Sequence, residues 1–131
     1  MLYAILCYND ENAVASWSKE QEDAVMVKLA AVQERLATEK KLGPVARLQR
    51  TTSATTLRKT RESPLVIDGP FAETKEHLLG FFVVECRDAE EAVAVARELA
   101  AANPDGGAYE IRPIATFFPA RAGWVGAGGA G

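Results

Sequence analysis

The stretch VIDGPFAETKEHLLGFFVVE runs from Val66 to Glu85. It opens apolar, turns at Asp68-Gly69-Pro70, crosses a short charged loop and ends in an apolar run from Leu78 to Val84. Asp bonds its own downstream backbone, Gly takes positive φ and Pro fixes the next φ, so Asp68-Gly69-Pro70 is turn chemistry. A short run that is apolar on both alternating faces reads as a strand buried on both sides. The run from His77 to Cys86 is such a strand, with Gly80 as a bulge. Leu2 to Tyr8 carries the same two-faced pattern and predicts a second one.

Around these strands the period changes. Ser18 and Gln21 have the spacing of a capping box. Val25, Leu29, Val32 and Leu36 follow at spacings of 4, 3 and 4, one stripe of an amphipathic helix. Gly43-Pro44 predicts its end near Lys41. A short strand is expected at Val45 to Leu48. The Thr-rich segment Ala54 to Lys59 and the segment Pro64 to Ile67 predict a hairpin around Arg61-Glu62-Ser63. Asp88, with Glu91 at the box position, starts a helix to about Ala102 whose Ala92, Val95, Ala96 and Leu99 face inward. Tyr109 to Ile114 alternates, with Glu110 and Arg112 on one face, where they either pair with each other or meet a partner subunit. Pro113 lacks a ladder donor and places this strand at a sheet edge.

The resulting order is β-α-β-hairpin-β-α-β. It predicts an α+β chain of the ferredoxin-like, split βαβ kind with an inserted β-hairpin. Both helices then cover one face of an antiparallel sheet of strand order 4-1-3-2, and the two apolar strands are central neighbours. Their second apolar face needs a cover, and a second copy of the same sheet is the simplest one. The expected assembly is a homodimer through sheet faces. Cys7 and Cys86 end antiparallel neighbours, so they lie too far apart for a disulfide and are read as buried thiols.

The chain has 131 residues, 48% hydrophobic and 25% charged, which suits one domain with a real core. That domain is expected over 1–114, followed by a C-terminal extension at 115–131 that is Gly/Ala-rich and disordered from 123. The net charge is −3, and no Lys/Arg cluster is long enough for a nucleic-acid footprint. No apolar run is long enough to span a bilayer, and the N-terminus has no secretion-signal pattern. The expectation is a cytoplasmic protein that binds neither membrane nor, directly, nucleic acid. With one histidine and no Cys/His cluster no metal site is expected. No Gly-rich phosphate loop is present, and no cofactor is expected.

The antiparallel arrangement carries the loop before His77 to the sheet edge that the first strand leaves. A carboxylate beside an imidazole can move protons near neutral pH, so Asp68 and His77 are the catalytic candidates. Tyr8, Asp10, Pro70, Phe71, Thr74 and Lys75 are the candidates for binding a ligand at this rim. The alternative for Asp68 is purely structural: its carboxylate accepts backbone N–H bonds from Ala72 to Lys75 and pins the loop. Trp17 is read as packing at the helix entry.

Asp68-Gly69-Pro70-Phe71-Ala72-Glu73-Thr74-Lys75-Glu76, then Leu79-Gly80-Phe81-Phe82 and Glu110-Ile111-Arg112-Pro113, give the chain a further reading. From Met1 to Ile114 it resembles the YCII-related proteins of the DGPF type. The resemblance implies a dimeric α/β-barrel of ferredoxin-like subunits. It also implies bacterial proteins, mostly uncharacterised, some encoded beside extracytoplasmic-function sigma factors. Distant relatives include isomerase- and dehydrochlorinase-like enzymes with a pocket between helix and sheet. A His–Asp pair goes with the family, and Asp68 matches its acid. The His of that pair, at or near the first helix, has no counterpart, because Ser16 to Leu42 holds no histidine. His77 stands where many relatives have glutamine. The expected function is a small-molecule-binding or regulatory module, with a sigma factor as a partner the resemblance admits. The alternative is a cofactor-free lyase, isomerase or dehydrochlorinase-like enzyme, with Asp68 as general acid/base and His77 or Lys75 assisting.

Overall fold

The computed structural model describes residues 1–59, 63–103 and 106–124. In chain order the elements are β1 (Leu2–Asn9), α1 (Glu11–Ala15), α2 (Lys19–Thr38), β2 (Leu42–Arg47), β3 (Thr55–Arg58), β4 (Leu65–Asp68), β5 (His77–Glu85), α3 (Ala89–Ala102) and β6 (Ala108–Pro113). Four strands form one antiparallel sheet in the order β2-β5-β1-β6, and β3 pairs with β4 in a separate two-stranded sheet. The chain is thus α+β, compatible with a ferredoxin-like fold. The two strands that read as apolar on both faces are the central pair.

One face of the sheet makes the core with α2 and α3. Ile5 and Val84 from the sheet meet Leu36 of α2 and Leu99 of α3, all fully buried. Burying each such side chain contributes about 1.5–3 kcal/mol. Ala92, Val95 and Ala96 complete the inward stripe of α3. In β6, Tyr109 and Ile111 pack against this core while Glu110 and Arg112 stay exposed. Glu110 accepts from the Tyr8 hydroxyl at 3.5 Å, and among the described residues it makes no ion pair with Arg112.

The caps follow the sequence. Ser18 accepts from the Gln21 N–H at 3.1 Å and Gln21 accepts from the Ser18 N–H at 2.8 Å, a complete capping box. Asp88 accepts from the Glu91 N–H at 2.9 Å. The end of α2 differs from expectation. The helix stops at Thr38, and Lys40 at φ 59 reverses the chain. The Lys40 N–H reaches the Ala37 carbonyl and the Lys41 N–H reaches that of Leu36, so a Schellman closure satisfies the last carbonyls without glycine. Gly43-Pro44 lies inside β2, where the register slips between Leu42 and Val45. The short α1 was not expected either. The Asp10 carboxylate caps it by accepting from the Asn12 N–H at 2.9 Å.

The irregularity expected at Gly80 is present, and the glycine has a second purpose. Cys7 pairs with Gly80 and Tyr8 with Leu78, so Leu79 is the extra residue beside Gly80. A Cβ on Gly80 would stand 2.4 Å from the Ala46 carbonyl oxygen, so glycine is what lets β2 approach.

The hairpin forms where expected, and of its expected turn, residues 61–62 lie outside the described residues. Cys7 and Cys86 are free thiols. Of the extension expected to be disordered from 123, residues 125–131 lie outside the described residues, and Trp124 is exposed. Among the described residues, no helix is long and apolar enough to cross a membrane.

Candidate ligand pocket

The core does not fill the space between α2 and the sheet along its whole length. Toward the end of β1 a partly open cavity of about 200 Å³ remains. Val25, Met26 and Leu29 of α2 form one wall, Phe82 and Gly80 of β5 the other, and Val14 of α1 and Trp17 close the end. The lining is predominantly apolar, the usual character of a small-molecule site. The α2 stripe enters the core through Leu36, while Val25, Met26 and Leu29 in its N-terminal half face the cavity.

A polar line crosses the floor. Asn103, Tyr109 and Cys7 come from the end of α3, from β6 and from β1, and all three line the cavity. The Asn103 side chain lies against the Tyr109 hydroxyl, which in turn lies against the Cys7 thiol. Burial pushes Tyr109 up to about 12, and the neighbouring Cys7 adds to the rise. Burial likewise pushes Cys7 up to about 11, against the opposing effect of the Tyr109 hydroxyl. Both groups are neutral at pH 7, and Cys7 is not a thiolate nucleophile there.

Two residues of the lining also carry a buried polar atom, turned away from the open space, with no hydrogen-bond partner among the described residues: the Trp17 indole Nε1 and the Asn103 Oδ1. A buried polar group without a partner costs about 1–3 kcal/mol, so such atoms call for an explanation.

A second cluster sits beside the pocket. The Glu11 carboxylate accepts from the Thr51 N–H at 2.8 Å and from the Thr51 hydroxyl at 2.6 Å. His77 Nδ1 stands 3.8 Å from it, and the buried His77 Nε2 has no hydrogen-bond partner among the described residues. Arg50 donates to Asn12 at 3.0 Å. The Thr51 hydroxyl bond, against some desolvation, holds the Glu11 carboxyl below the ordinary value, with His77 and Arg50 adding to it. This cluster ties α1, the turn before β3 and the start of β5 together.

The residues singled out in the sequence fall in two places. Tyr8 lines the pocket and Asp10 caps α1. His77 opens β5 opposite Asn9, and the carboxylate within 4 Å of it is that of Glu11. Asp68 ends β4 in the separate sheet, exposed, and its carboxylate has no hydrogen bond among the described residues. The turn is closed instead by the Gly69 N–H on the Ala54 carbonyl at 2.7 Å and by the Thr56 hydroxyl on the Gly69 carbonyl at 2.8 Å. Phe71 lies under the Arg58 guanidinium at 5.2 Å from its ring centre. The Thr74 hydroxyl donates to the Glu76 carbonyl; Phe71, Thr74 and Lys75 of this loop are exposed and Pro70 is half-buried. Sequence reasoning missed Glu11, Thr51 and Asn103 and gave Trp17 only a packing role. None carries a motif, because each enters the site from a different element. A larger hollow of about 340 Å³ lies between α2 and α3, and in its lining Arg35 pairs with Glu98, and Lys41 and Arg87 with Glu91.

Among the described residues, no group of three His, Cys, Asp or Glu side chains is placed to hold a metal ion. The model of the YCII-related domain matches residues 1–118. Over 119 residues the chain is 54% identical to the uncharacterized protein R00369 of Rhizobium meliloti (strain 1021), covering 91% of this chain and 96% of that protein. With a core, a pocket and a hairpin that all fall inside the matched residues, the chain belongs to the YCII-related family.

Proposed function

We propose that the chain is a homodimeric small-molecule-binding module, its ligand held between α2 and the sheet. The observation that carries this is the predominantly apolar, partly open cavity of about 200 Å³ between α2 and the sheet. Cys7 and Tyr109 are held neutral, and Asp68 lies in the other sheet, so the pocket lacks an assembled catalytic set. A regulatory role, in which the ligand is the signal, fits a site of this kind. The test is an amide NMR titration against a library of small aromatic and aliphatic compounds. Shifts grouped on Trp17, Leu29, Phe82 and Tyr109 are expected, whereas binders that shift only the hairpin would refute the site.

The dimer rests on the sheet face opposite the helices. Ala4, Leu6 and Phe81 point to that side, remain part-exposed and have no helix over them. Two such faces packed together give the dimeric α/β-barrel. Light scattering at micromolar concentration should give twice the 14.1 kDa chain mass, and Leu6→Glu should return it to one. A wild-type monomer at that concentration removes the dimer.

A second reading has one observation in its favour, the Glu11–His77 contact of 3.8 Å. A lyase or isomerase would use this pair, rather than Asp68, for proton transfer. The unpartnered His77 Nε2 is not on the pocket wall, which favours the binding module. Loss of an activity in His77→Gln with ligand binding intact would favour the enzyme.

A further inference from the structure

A second hollow of about 240 Å³ adjoins the pocket, with Glu11, Glu22, Leu48 and Arg50 in its lining. Val14, Trp17, Arg47 and Leu79 line both, so these side chains stand between the two spaces. They are not equally fixed. Leu79 is held in β5, a central strand with a neighbour on each side. Arg47 ends β2 and pairs with Glu22 of α2 at 3.6 Å, both side chains exposed. Val14 lies on α1, and Trp17 follows it, tied back by its N–H on the Val14 carbonyl at 3.2 Å.

The helix α1 has little apolar contact to hold it. None of its residues is buried, Val14 is its one half-buried apolar residue, and a helix of this length is marginal alone. Polar bonds to the connection between β2 and β3 hold it down. Thr51 gives Glu11 its N–H at 2.8 Å and its hydroxyl at 2.6 Å, with His77 at 3.8 Å beside the same carboxylate. Arg50 donates to Asn12 at 3.0 Å. The elements on either side are secured separately, β1 by its two neighbours in the sheet and α2 by its complete capping box. Releasing the Thr51 and Arg50 bonds therefore frees α1 without unfolding what precedes or follows it.

From this we infer that α1 is the door of the pocket and that the Glu11–Thr51 bonds are its latch. A ligand enters from the adjoining hollow when α1 lifts and carries Val14 and Trp17 aside. The inference rests on the small-molecule reading and adds to it a route of entry and its control. The structure holds the closed form, and the open form is a minor state of ~0.1–10%. The latch is made with the pocket full or empty, so it sets the rates of binding and release and leaves the affinity nearly alone. Thr51 lines neither hollow, so changing it alters the latch and not the contacts of a ligand.

Thr51→Val removes the hydroxyl donor at nearly constant volume, and Thr51→Ser keeps it. The first measurement is amide hydrogen exchange of the free full-length protein. The N–H groups of Val14, Ser16 and Trp17, which bond the carbonyls of Asp10, Asn12 and Val14, should exchange about tenfold faster in Thr51→Val. In Thr51→Ser they should exchange as in wild type, and in both variants Val95 and Leu99 of α3 should stay within about twofold, the mark of an intact fold. The second measurement uses 4-fluorotoluene, since a dry cavity of about 150 Å³ takes a benzene ring and this one is about 200 Å³. Its association and dissociation rates, from fluorine NMR line shapes, should both rise about tenfold in Thr51→Val, with Kd within about threefold. Faster α1 exchange with unchanged binding rates would show that α1 opens but is not the entrance, and would overturn the door. Unchanged α1 exchange in Thr51→Val would overturn the latch. Rates that rise in Glu22→Gln and not in Thr51→Val would move the entrance to the Arg47 bridge. If 4-fluorotoluene perturbs no pocket residue of the wild type, the binding reading itself falls, and the door with it.

Discussion

The α2–sheet pocket and the β3–β4 hairpin are built on opposite plans. The pocket draws its residues from at least five elements, and no two of its decisive side chains are sequence neighbours. The hairpin and its loop are one continuous stretch, with the most recognisable string of the chain at its end. Yet the pocket's lining carries the thiol and phenol whose pKa values burial raises, while the hairpin exposes Leu57, Leu65, Val66 and Phe71. A memorable string thus marks a backbone requirement here, and chemistry collects where separate elements converge.

The largest test of this contrast is mutational. Leu36 is fully buried between α2, α3 and the sheet, so Leu36→Ala should cost about 2–5 kcal/mol in chemical denaturation. Leu57→Ala, at a site 56% exposed, should cost under about 0.5 kcal/mol. A two-stranded hairpin alone is marginal in water, so its exposed aliphatic residues are also a surface a partner can cover. A loss of about 2 kcal/mol for Leu57→Ala, vanishing on dilution, would show that the second copy covers it.

How far the sequence carried depended on whether a signal is local. The central strands were legible because apolar residues fill both parities of Leu2–Tyr8 and His77–Cys86. Ser18 with Gln21 and Asp88 with Glu91 were legible because a cap needs only a short spacing. The end of α2 was misplaced because its closure uses Lys40 in a left-handed conformation, where sequence points to glycine. The helix α1 was hidden because Asn9-Asp10-Glu11-Asn12 is as polar as any turn. The rim was placed correctly for His77, whose partner proved to be Glu11. That pairing depends on the fold bringing a five-residue helix to the start of β5.

Glu11 gives the next effect in size. Its carboxylate accepts two bonds from Thr51, and bonds to a charged acceptor are worth about 1.5–3 kcal/mol, so Glu11→Ala should lose that order of stability. The pH dependence has a definite sign. The folded-state carboxyl lies below the ordinary 4.5, so its contribution is fully present above that value. It is lost as pH falls through the lower folded value. Glu11→Gln should therefore flatten the acid side of the stability curve below pH 4.5 and leave the shape above it unchanged. An unaltered acid limb would mean that Thr51 does not hold the charged form.

The smallest effects lie at the turn, where they decide what the Asp-Gly-Pro string is for. The sequence suggested that the Asp68 carboxylate pins the loop, so that Asp68→Ala would cost about 1–2 kcal/mol, as a lost cap does. In the structure that carboxylate is exposed and without a hydrogen bond among the described residues, while the turn is closed through Gly69 and Thr56. Gly69 sits at φ 102, which side-chain-bearing residues rarely adopt, and nothing lies within 4 Å of a Cβ added there. Gly69→Ala should therefore cost about 1–3 kcal/mol from the backbone alone. Asp68→Ala and Asp68→Asn should both stay within about 0.5 kcal/mol of wild type, since neither removes a bond that the fold uses. Equilibrium denaturation of the three variants gives the order. A clear loss in Asp68→Ala but not in Asp68→Asn would restore the pinning role, because only the asparagine keeps an acceptor. Two neutral Asp68 variants would leave the carboxylate outside the fold's own stabilisation. The affinity of a compound found in the pocket titration, measured in those variants, would then say whether the hairpin brings Asp68 to the pocket, with an unchanged affinity marking Asp68 as idle in binding.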